Sequence, residues 1–506
     1  MSQLVEDCLR IIFTELKYVP NSLYSCILVN RFWCIIGVQI LWERPYEFLL
    51  NYINFKKVSY YIRHCETLQF IKFYNTIINL LPTSSKRLLI ENNVISISSP
   101  FLNKPLFNYI SFSSEISQKL INDMGLGLIK KINISNEYQE KYKILEQEYY
   151  KLFINNCKNI TNFRWYTTLP LYQYPGASTC FSQLRTLVII CNQSLISDNL
   201  LGIAQICLDI ENLELWNCDR DNPGLIKFIE NQKNLQSLYL HNSIKSGRKC
   251  IQLSEIIEKK AVTLKRFSLE NVLLSPKFLP SLINLEQLKL KIEIYYYLSE
   301  QDVQDWKKYL LIASFPKLQY LKAQYLPPHG VCRLIENSQN IKEIDTSNNF
   351  RGEDAVYNIE LFKVIAKNCP NIESLNVNTY LKNLGGIKEI ILNCNKLRKL
   401  DIYINFEEDD GDDHGHEIIC DEVLNYLLNY SSRNFDEFAF SEYWRFSVNN
   451  LKNFFEGWRG RKPIKFITHF DRCYYFTQEH VKIVQKYYDE GVIDKNTRFL
   501  YGVNDY

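Results

Sequence analysis

The sequence lacks the charge pattern and the long apolar segments that would indicate a partner at once. Its 59 lysines and arginines are balanced by 56 aspartates and glutamates, which gives the 506 residues a formal net charge of +3. This balance gives no large excess of positive charge that would attract nucleic acid or an anionic membrane, so we expect neither partner. The longest nearly apolar run, from Cys34 to Trp42, is too short to cross a bilayer. Since 46% of the residues are hydrophobic, the composition also excludes an intrinsically disordered chain.

Closely spaced cysteine pairs are missing as well, and we expect no secretory leader. The chain has 15 cysteines, but no Cys-x-x-Cys pair occurs among them. A zinc site or a redox dithiol needs such close pairing, so we expect no metal and no cofactor. The chain starts Met-Ser-Gln-Leu-Val-Glu-Asp-Cys, which is acidic rather than basic and does not lead into an apolar segment. We therefore expect reduced thiols and a cytoplasmic or nuclear location.

A short pattern recurs along most of the chain: an apolar residue, two variable residues, an apolar residue, one variable residue and a third apolar residue, often followed by Asn or Cys. Its mean period is about 27 residues, within the range of leucine-rich repeats, each of which is a short strand plus a helix. The clearest copies are Leu184/Leu187/Ile189, Ile210/Leu213/Leu215, Leu235/Leu238/Leu240, Leu264/Phe267/Leu269, Leu285/Leu288/Leu290, Leu318/Leu321/Ala323, Ile341/Ile344/Thr346, Ile372/Leu375/Val377, Leu397/Leu400/Ile402, Phe435/Phe438/Phe440 and Ile464/Ile467/His469. Three earlier copies fit less cleanly: Phe107/Ile110/Phe112, Ile129/Ile132/Ile134 and Ile160/Phe163/Trp165.

The alternating apolar pair that ends each copy is typical of one face of a strand. Helical stretches lie between the copies, with apolar residues three or four apart, such as Leu361 and Ile365. Several of them end in Asn-Cys, at 368–369 and 393–394, where Asn suits a helix C-cap. One repeat cannot bury enough apolar surface alone, so the copies must stack. The pattern predicts an α/β fold, a curved solenoid with strands on the concave face and helices on the convex face, closed by a helix over 478–490.

Residues 4–44 precede the repeats and have a helical period of their own. Leu9, Ile12 and Leu16 share one helix face, and Pro20 separates this helix from a second one. A third stretch follows and carries two tryptophans. Three helices of about ten residues form a bundle too small to be very stable alone. We therefore expect the bundle to rest on the solenoid, on a partner, or on both.

The order of residues in this bundle is specific: Leu4-Val5, Asp7, Ile12-Phe13 with Leu16, then Leu28-Val29-Asn30-Arg31 with Trp33, and Leu41-Trp42 at the end. In this order and spacing the segment resembles the F-box, a three-helix module that docks a substrate receptor onto the Skp-family adaptor of a cullin–RING ubiquitin ligase. Val5 stands where the F-box pattern has Pro, a residue that fixes φ in the first helical turn. Together with the repeats that follow, the chain resembles the F-box/leucine-rich-repeat family.

The resemblance implies a non-enzymatic substrate receptor of an SCF-type ligase, whose F-box binds a Skp-family adaptor, and through it cullin, while its repeats bind a target protein. The predicted domains are 1–45 for the F-box-like module, 46–105 for a linker and the first degenerate repeats, 106–475 for the solenoid, and 476–506 for a capping helix and tail. The residues that the resemblance implies for adaptor binding are Leu4, Val5, Leu16, Leu28, Trp33, Leu41 and Trp42. An inert cap that shields the first repeat, with both tryptophans in its core, is the alternative.

Recognition of a target should use strand residues beside the buried anchors, on the concave face. Aromatic and charged side chains are the usual material of binding hot spots. The candidates of this kind are Trp216, Tyr239, His241, Lys289, Lys291, Tyr320, Lys322, Asp345, Asp401 and Tyr403.

One acidic run with two histidines lies in the longest interval between repeats. It comprises Glu407, Glu408, Asp409, Asp410, Asp412, Asp413, His414, His416 and Glu417. The run does not have EF-hand spacing. We interpret it as a solvated loop whose like charges repel one another, with a divalent cation or a basic partner as the alternative.

Catalytic motifs are not evident. Gly125 and Gly127, followed by Lys130, lack the Gly-Lys-Ser/Thr ending of a phosphate loop and are predicted as a turn between repeats. There is no G-x-S-x-G and no H-E-x-x-H. We therefore expect no enzymatic activity. Outside a ligase, the alternatives are an interaction scaffold or a regulator of a GTPase.

Overall fold

The structure, a computed structural model, describes residues 6–17, 20–47, 49–50, 68–95, 105–129, 136–158, 160–191, 197–243, 248–293, 298–346, 355–405, 413–441, 443–468, 475–495 and 497. The chain forms two compact units. Unit 1 comprises Met1–Asn217 and Asn222–Leu235, and unit 2 comprises Cys218–Asp221 and Gln236–Tyr506.

Unit 1 starts with helices and continues with strands that alternate with helical segments. Its helices are α1 (Glu6–Leu16), α2 (Pro20–Ile27), α3 (Arg31–Glu43), α4 (Leu68–Leu80), α5 (Thr83–Glu91), α6 (Gln118–Leu128), α7 (Asn136–Asn156), α8 (Ala177–Cys180), α9 (Ser197–Ile203) and α10 (Pro223–Asn231). Its strands are β1 (Glu115–Ile116), β2 (Asn162–Trp165), β3 (Thr186–Ile190) and β4 (Asn212–Trp216). Within unit 1, β1 pairs in parallel with β2, β2 with β3, and β3 with β4.

Unit 2 continues the same alternation over nine described strands. They are β5 (Ser237–His241), β6 (Arg266–Glu270), β7 (Gln287–Lys291), β8 (Tyr320–Gln324), β9 (Glu343–Thr346), β10 (Ser374–Tyr380), β11 (Lys399–Asn405), β12 (Glu437–Phe440) and β13 (Lys465–Thr468). The helices are α11 (Ile251–Lys260), α12 (Glu300–Ile312), α13 (Pro328–Glu336), α14 (Ala355–Asn368), α15 (Ile387–Asn393), α16 (Asp413–Tyr430), α17 (Val448–Trp458) and α18 (Gln478–Asp489). Every strand is parallel to its neighbours.

The apolar anchors of the repeats stack in register. On β6 to β9 of unit 2, Phe267 lies opposite Leu288, which lies opposite Leu321 and then Ile344. All four are buried, while the residues that alternate with them reach solvent. Parallel neighbours in chain order need a crossover between each pair, and the helices supply it. The prediction of an α/β leucine-rich-repeat solenoid is confirmed.

Asparagines close several turns of the array. Asn368 and Asn393 are the last residues of α14 and α15, and each side-chain amide donates to the carbonyl four residues earlier. After β6, Asn271 has φ = 56°, and its Oδ1 accepts a hydrogen bond from the amide of Glu293 at 2.9 Å. Asn tolerates this left-handed conformation better than most residues. These side chains satisfy backbone groups left free where the chain turns.

The predicted strand at Phe107/Ile110/Phe112 is wrong. Residues Tyr109–Phe112 form a 3₁₀ helix, and the first strand, β1, begins at Glu115 with Ile116 as its buried residue. The next predicted copy, at 129–134, lies almost entirely outside the described residues.

The last copy is out of register with the prediction. On β13 the buried residues are Phe466 and Thr468, whereas Ile467 lies on the other face, opposite Ala439. A shift of one residue moves a side chain to the opposite face of a strand. The position three residues before Phe466 is Pro463, so the predicted copy, which starts at Ile464, is one residue late. His469 lies outside the described residues.

The predicted turn at Gly125 and Gly127 is also wrong, because both residues lie inside α6. A Cβ atom on Gly125 would lie 2.8 Å from the ring of Tyr142 on α7. The glycine therefore permits close packing of two helices and does not mark a turn.

Candidate protein-interaction surfaces

The three N-terminal helices pack around a small apolar core, as their periodicity predicts. Leu9 and Phe13 of α1, Leu23 of α2, and Ile36 and Ile40 of α3 are buried in this core. The residues on the outside of this core differ in how much of their surface is exposed to a partner.

Three of the residues predicted for adaptor binding pack against this core. Leu16, Trp33 and Leu41 are partly buried on it. The indole of Trp33 meets the ring of Phe13 edge to face, with centroids 5.3 Å apart and planes at 69°. These side chains hold the module together and leave only part of their surface for a partner.

The corner between α2 and α3 is apolar and exposed. The Oδ1 atom of Asn30 accepts a hydrogen bond from the amide of Trp33 at 2.8 Å, which caps α3 and fixes the corner. Just before this cap, the side chains of Leu28 and Val29 are 70% and 58% exposed. Exposed apolar side chains held in a fixed place are available to bind a partner.

Further exposed apolar residues of the module were not predicted as adaptor-binding residues. They are Ile11 and Ile12 of α1, Tyr24 of α2 and Ile35 of α3. The period of α1 sets Ile11 on the face opposite Leu9 and Phe13. It places Ile12 on the same face as Leu9 and Leu16, and this expectation is wrong, because Ile12 is 44% exposed.

Trp42 lies against elements that follow the module. Its ring stacks on Tyr109, with centroids 4.6 Å apart and planes at 26°, and lies 5.4 Å from the ring of Phe73 on α4. The remaining predicted adaptor residues, Leu4 and Val5, lie outside the described residues.

The register of unit 2 aligns most of the predicted target-binding residues into two rows on the outward face of its strands, which we call the polar rows. Neighbours within a row are about 4.8 Å apart. Row one comprises Tyr239, Ser268, Lys289, Lys322, Asp345, Asn376 and Asp401. Row two comprises His241, Glu270, Lys291 and Gln324, with Asn378 opposite Tyr403 further along. Two predicted residues lie elsewhere. Tyr320 is two residues before the row-one position on β8, opposite Gln287, and Trp216 lies on β4 of unit 1, where its Nε1 donates to Glu214.

Ion pairs hold most of the charges in these rows. Lys291 binds Glu270 and Glu293, with Nζ–Oε1 distances of 2.9 Å in both pairs, and the hydroxyl of Tyr239 donates to Glu270 at 3.0 Å. Burial alone would raise the pKa of Glu270, but the hydrogen bonds from Lys291 and Tyr239 outweigh it and lower the pKa. This cluster is therefore charged and ordered at neutral pH.

Row one contains a lysine without a carboxylate partner. Lys322 is paired with Asp345 at 2.7 Å, whereas Lys289 has no ion pair with any described residue. The ammonium of Lys289 lies 5.2 Å from the ring centroid of Tyr320 instead. Burial and nearby carboxylates raise the pKa of Tyr320 to about 12, so its hydroxyl remains a hydrogen-bond donor.

The acidic run is only partly described. Residues 413–417 belong to α16, so this part is a helix and the interpretation as a loop is wrong for it, while 407–412 lie outside the described residues. Over the part of the chain that the structure describes, no group of three or more His, Cys, Asp or Glu side chains could hold a metal ion.

No described helix combines the length and the apolar character needed to span a membrane.

Comparisons with known proteins give distant structural likenesses. No protein-family model matches the chain, and no curated protein matches it. The yeast complex of Rad7 and Elc1 contains a chain that is 16% identical, with 51% of this chain and 76% of that chain covered and a TM-score of 0.27. The leucine-rich-repeat-containing protein LegL7 from Legionella pneumophila is 13% identical, with 67% of this chain and 94% of that chain covered and a TM-score of 0.30. A chain of the Toll–Spätzle complex of Drosophila is 13% identical, with 57% of this chain and 40% of that chain covered and a TM-score of 0.26.

Proposed function

We propose that this chain is the non-enzymatic substrate-recognition subunit of an SCF-type E3 ubiquitin ligase. Helices α1 to α3 bind a Skp-family adaptor and, through it, cullin, while the repeats bind a target protein. The observation that carries the proposal is the exposed apolar corner of Leu28 and Val29, which the Asn30 cap fixes in a module that precedes the repeats in the sequence.

Such a receptor acts by proximity. It holds the target close to the ubiquitin-loaded enzyme and so raises the effective concentration of target lysines at the reaction site. No side chain of this chain takes part in bond chemistry in that mechanism.

The polar rows of unit 2 suit the target-binding role. Lys289, Tyr320 and Lys322 place two cations and one aromatic ring next to one another on adjacent strands. Since Lys289 has no carboxylate partner among the described residues, its charge remains available for an acidic group of the target.

Binding to the purified Skp-family adaptor of the same organism tests the first part of the proposal. Leu28→Asp places a charge at the exposed corner, where complex formation would remove it from water, so we expect at least tenfold weaker binding. Val262→Asp is the matched control, because Val262 of unit 2 is 77% exposed and belongs to neither surface. Biolayer interferometry measures all three proteins. Equal binding of the wild type and Leu28→Asp, or no wild-type binding, would contradict the adaptor role.

A scaffold outside any ligase is the second candidate. The stack of Trp42 on Tyr109 favours it, because this tryptophan packs inside the chain, as it would in a cap that only shields the first repeat. If the wild type fails to bind the adaptor, the scaffold function replaces the receptor function as the proposal.

A further inference from the structure

A cavity of about 550 Å³ lies within unit 1, and its volume is typical of small-ligand sites. It is open to solvent and is lined by residues that follow α3, by the start of α6 and by strands of unit 1. None of the residues assigned above to adaptor or target binding lines it, so the proposed function leaves this cavity unused.

The cavity has an apolar floor. Val188 of β3 alternates with the core anchors Leu187 and Ile189 and therefore points outward, yet it is only 3% exposed because the cavity walls cover it. In register on either side lie Arg164 of β2 and Glu214 of β4. The floor is thus an apolar surface with a cation on one side and an anion on the other.

Two cations of the cavity lack an ion pair with any described residue. The side chains of Arg164 and Lys119 line it, and neither forms an ion pair or a hydrogen bond with any described residue. A third cation, Arg44, is engaged, because its guanidinium lies 3.5 Å from the carboxylate of Glu47. Both act electrostatically on Glu115, but neither lies within ion-pair distance of a described carboxylate. A guanidinium and an ammonium that face one cavity in this way are suited to bind an anionic group together.

Carboxylates on the walls limit the charge that the cavity accepts. Glu115 lines the same space, and burial together with nearby Glu47 raises its pKa despite the opposing effect of Arg44, Arg164 and Lys119. A multiply charged anion such as a phosphate ester would be repelled by Glu47 and Glu115. A single negative charge is the better match for two cations whose positive charge Glu115 already offsets in part.

We infer that this cavity binds one carboxylate carried on an apolar body, with the carboxylate on Arg164 and Lys119 and the apolar part over Val188. The C-terminus of an extended peptide and a free aliphatic acid share this chemistry. In the peptide case Glu214 is placed to accept a hydrogen bond from a backbone amide, as one end of the chain is captured in a pocket.

Two matched pairs of probes test this inference on the full-length chain. The first pair is a pool of N-terminally labelled hexapeptides that end in Leu, Val or Phe, with either a free or an amidated C-terminus, measured by fluorescence anisotropy. The second pair is hexanoate and hexanamide, measured by calorimetry. We expect the acid of at least one pair to bind tenfold or more tightly than its neutral partner. Binding by the peptides identifies a C-terminus as the source, and binding by hexanoate alone identifies a free acid.

Arg164→Gln keeps a polar side chain but removes the charge, and we expect it to weaken binding of the acid at least tenfold. Because Arg164 is exposed, the thermal unfolding midpoint should not change. Arg87→Gln, at an exposed position of α5 outside the cavity, is the matched control and should bind as the wild type does. Equal affinity for acids and amides, or full affinity in Arg164→Gln, would overturn the inference.

Discussion

The indole of Trp42 stacks on the phenol ring of Tyr109, with centroids 4.6 Å apart and planes at 26°. This stack joins the end of the third helix to the segment that precedes the first strand of unit 1. A tryptophan that the F-box resemblance implies for adaptor binding therefore packs within the chain itself.

Trp42→Ala should consequently lower stability. Loss of a large packed aromatic side chain costs about 3 kcal/mol, and the solvent-exposed part of the ring reduces this to about 2 kcal/mol. Urea unfolding followed by tryptophan fluorescence and circular dichroism measures the change. Leu28→Asp is the comparison, since its exposed site predicts a change below about 0.5 kcal/mol. Equal stability of Trp42→Ala and the wild type would show that the stack contributes nothing.

Gly37→Ala should also destabilise the N-terminal module, for a different reason. A Cβ atom on Gly37 would lie 2.3 Å from Cγ2 of Ile27, so α2 and α3 would have to separate. Overpacking of this kind costs about 1–3 kcal/mol. The double variant Gly37→Ala, Ile27→Ala removes the clashing atom and should recover part of the loss. Limited proteolysis of the N-terminal helices measures both effects, and a double variant cleaved faster than Gly37→Ala would contradict this explanation.

The carboxylate of Asp436 should make stability depend on pH in the acid range. Burial alone would raise its pKa, but hydrogen bonds from Lys462 and Arg398 outweigh burial and lower the pKa. The stabilisation is therefore complete above the unfolded pKa, about 3.9, and is lost as the pH falls through the lower folded value. Asp436→Asn should cost about 1 kcal/mol at pH 7 and nothing once both states are protonated.

Urea unfolding midpoints at pH 7, 5 and 3 check this dependence. Glu255→Gln on α11 is the control, because Glu255 is exposed and has no ion pair with a described residue. A difference between Asp436→Asn and the wild type that stays constant from pH 7 to pH 3 would exclude the two ion pairs as its cause.

Reversal of the unpaired charge in row one should abolish target binding. Lys289→Glu places a carboxylate beside Tyr320, where the wild type offers a cation, and we expect at least tenfold less of each specific partner in affinity purification followed by quantitative mass spectrometry. Lys259→Glu reverses a charge on the exposed face of α11 and should retain the same partners. Partners that remain with Lys289→Glu and disappear with Lys259→Glu would place recognition on the helices instead.

The spacing of apolar residues predicts most of the strands because the anchor pair alternates in every repeat. The spacing predicts incorrectly at 107–112, where it occurs next to and within a 3₁₀ helix. It is one residue out of register at 464–469, where Pro463 occupies the position that an apolar anchor has in the other repeats. The spacing of apolar residues alone does not show which copies form strands, or at which residue a strand starts.

The interaction surfaces and the cavity could be predicted from the sequence less well than the strands. Asn30 and Leu28 could be found from local sequence, because a helix cap and the exposed residues before it are neighbours in the chain. The polar rows and the cavity depend on contacts between residues far apart in sequence, such as Lys119 and Arg164, which only the folded chain brings together.

The equivalence of successive strands has an evolutionary consequence. Leu288, Leu321 and Ile344 occupy matching positions on β7, β8 and β9. Excision of β8 together with α13 would set Leu288 directly beside Ile344 and leave the interior aligned. Whole repeats can thus be gained or lost by duplication and deletion, which alters the length of the array while the hydrophobic interior remains intact.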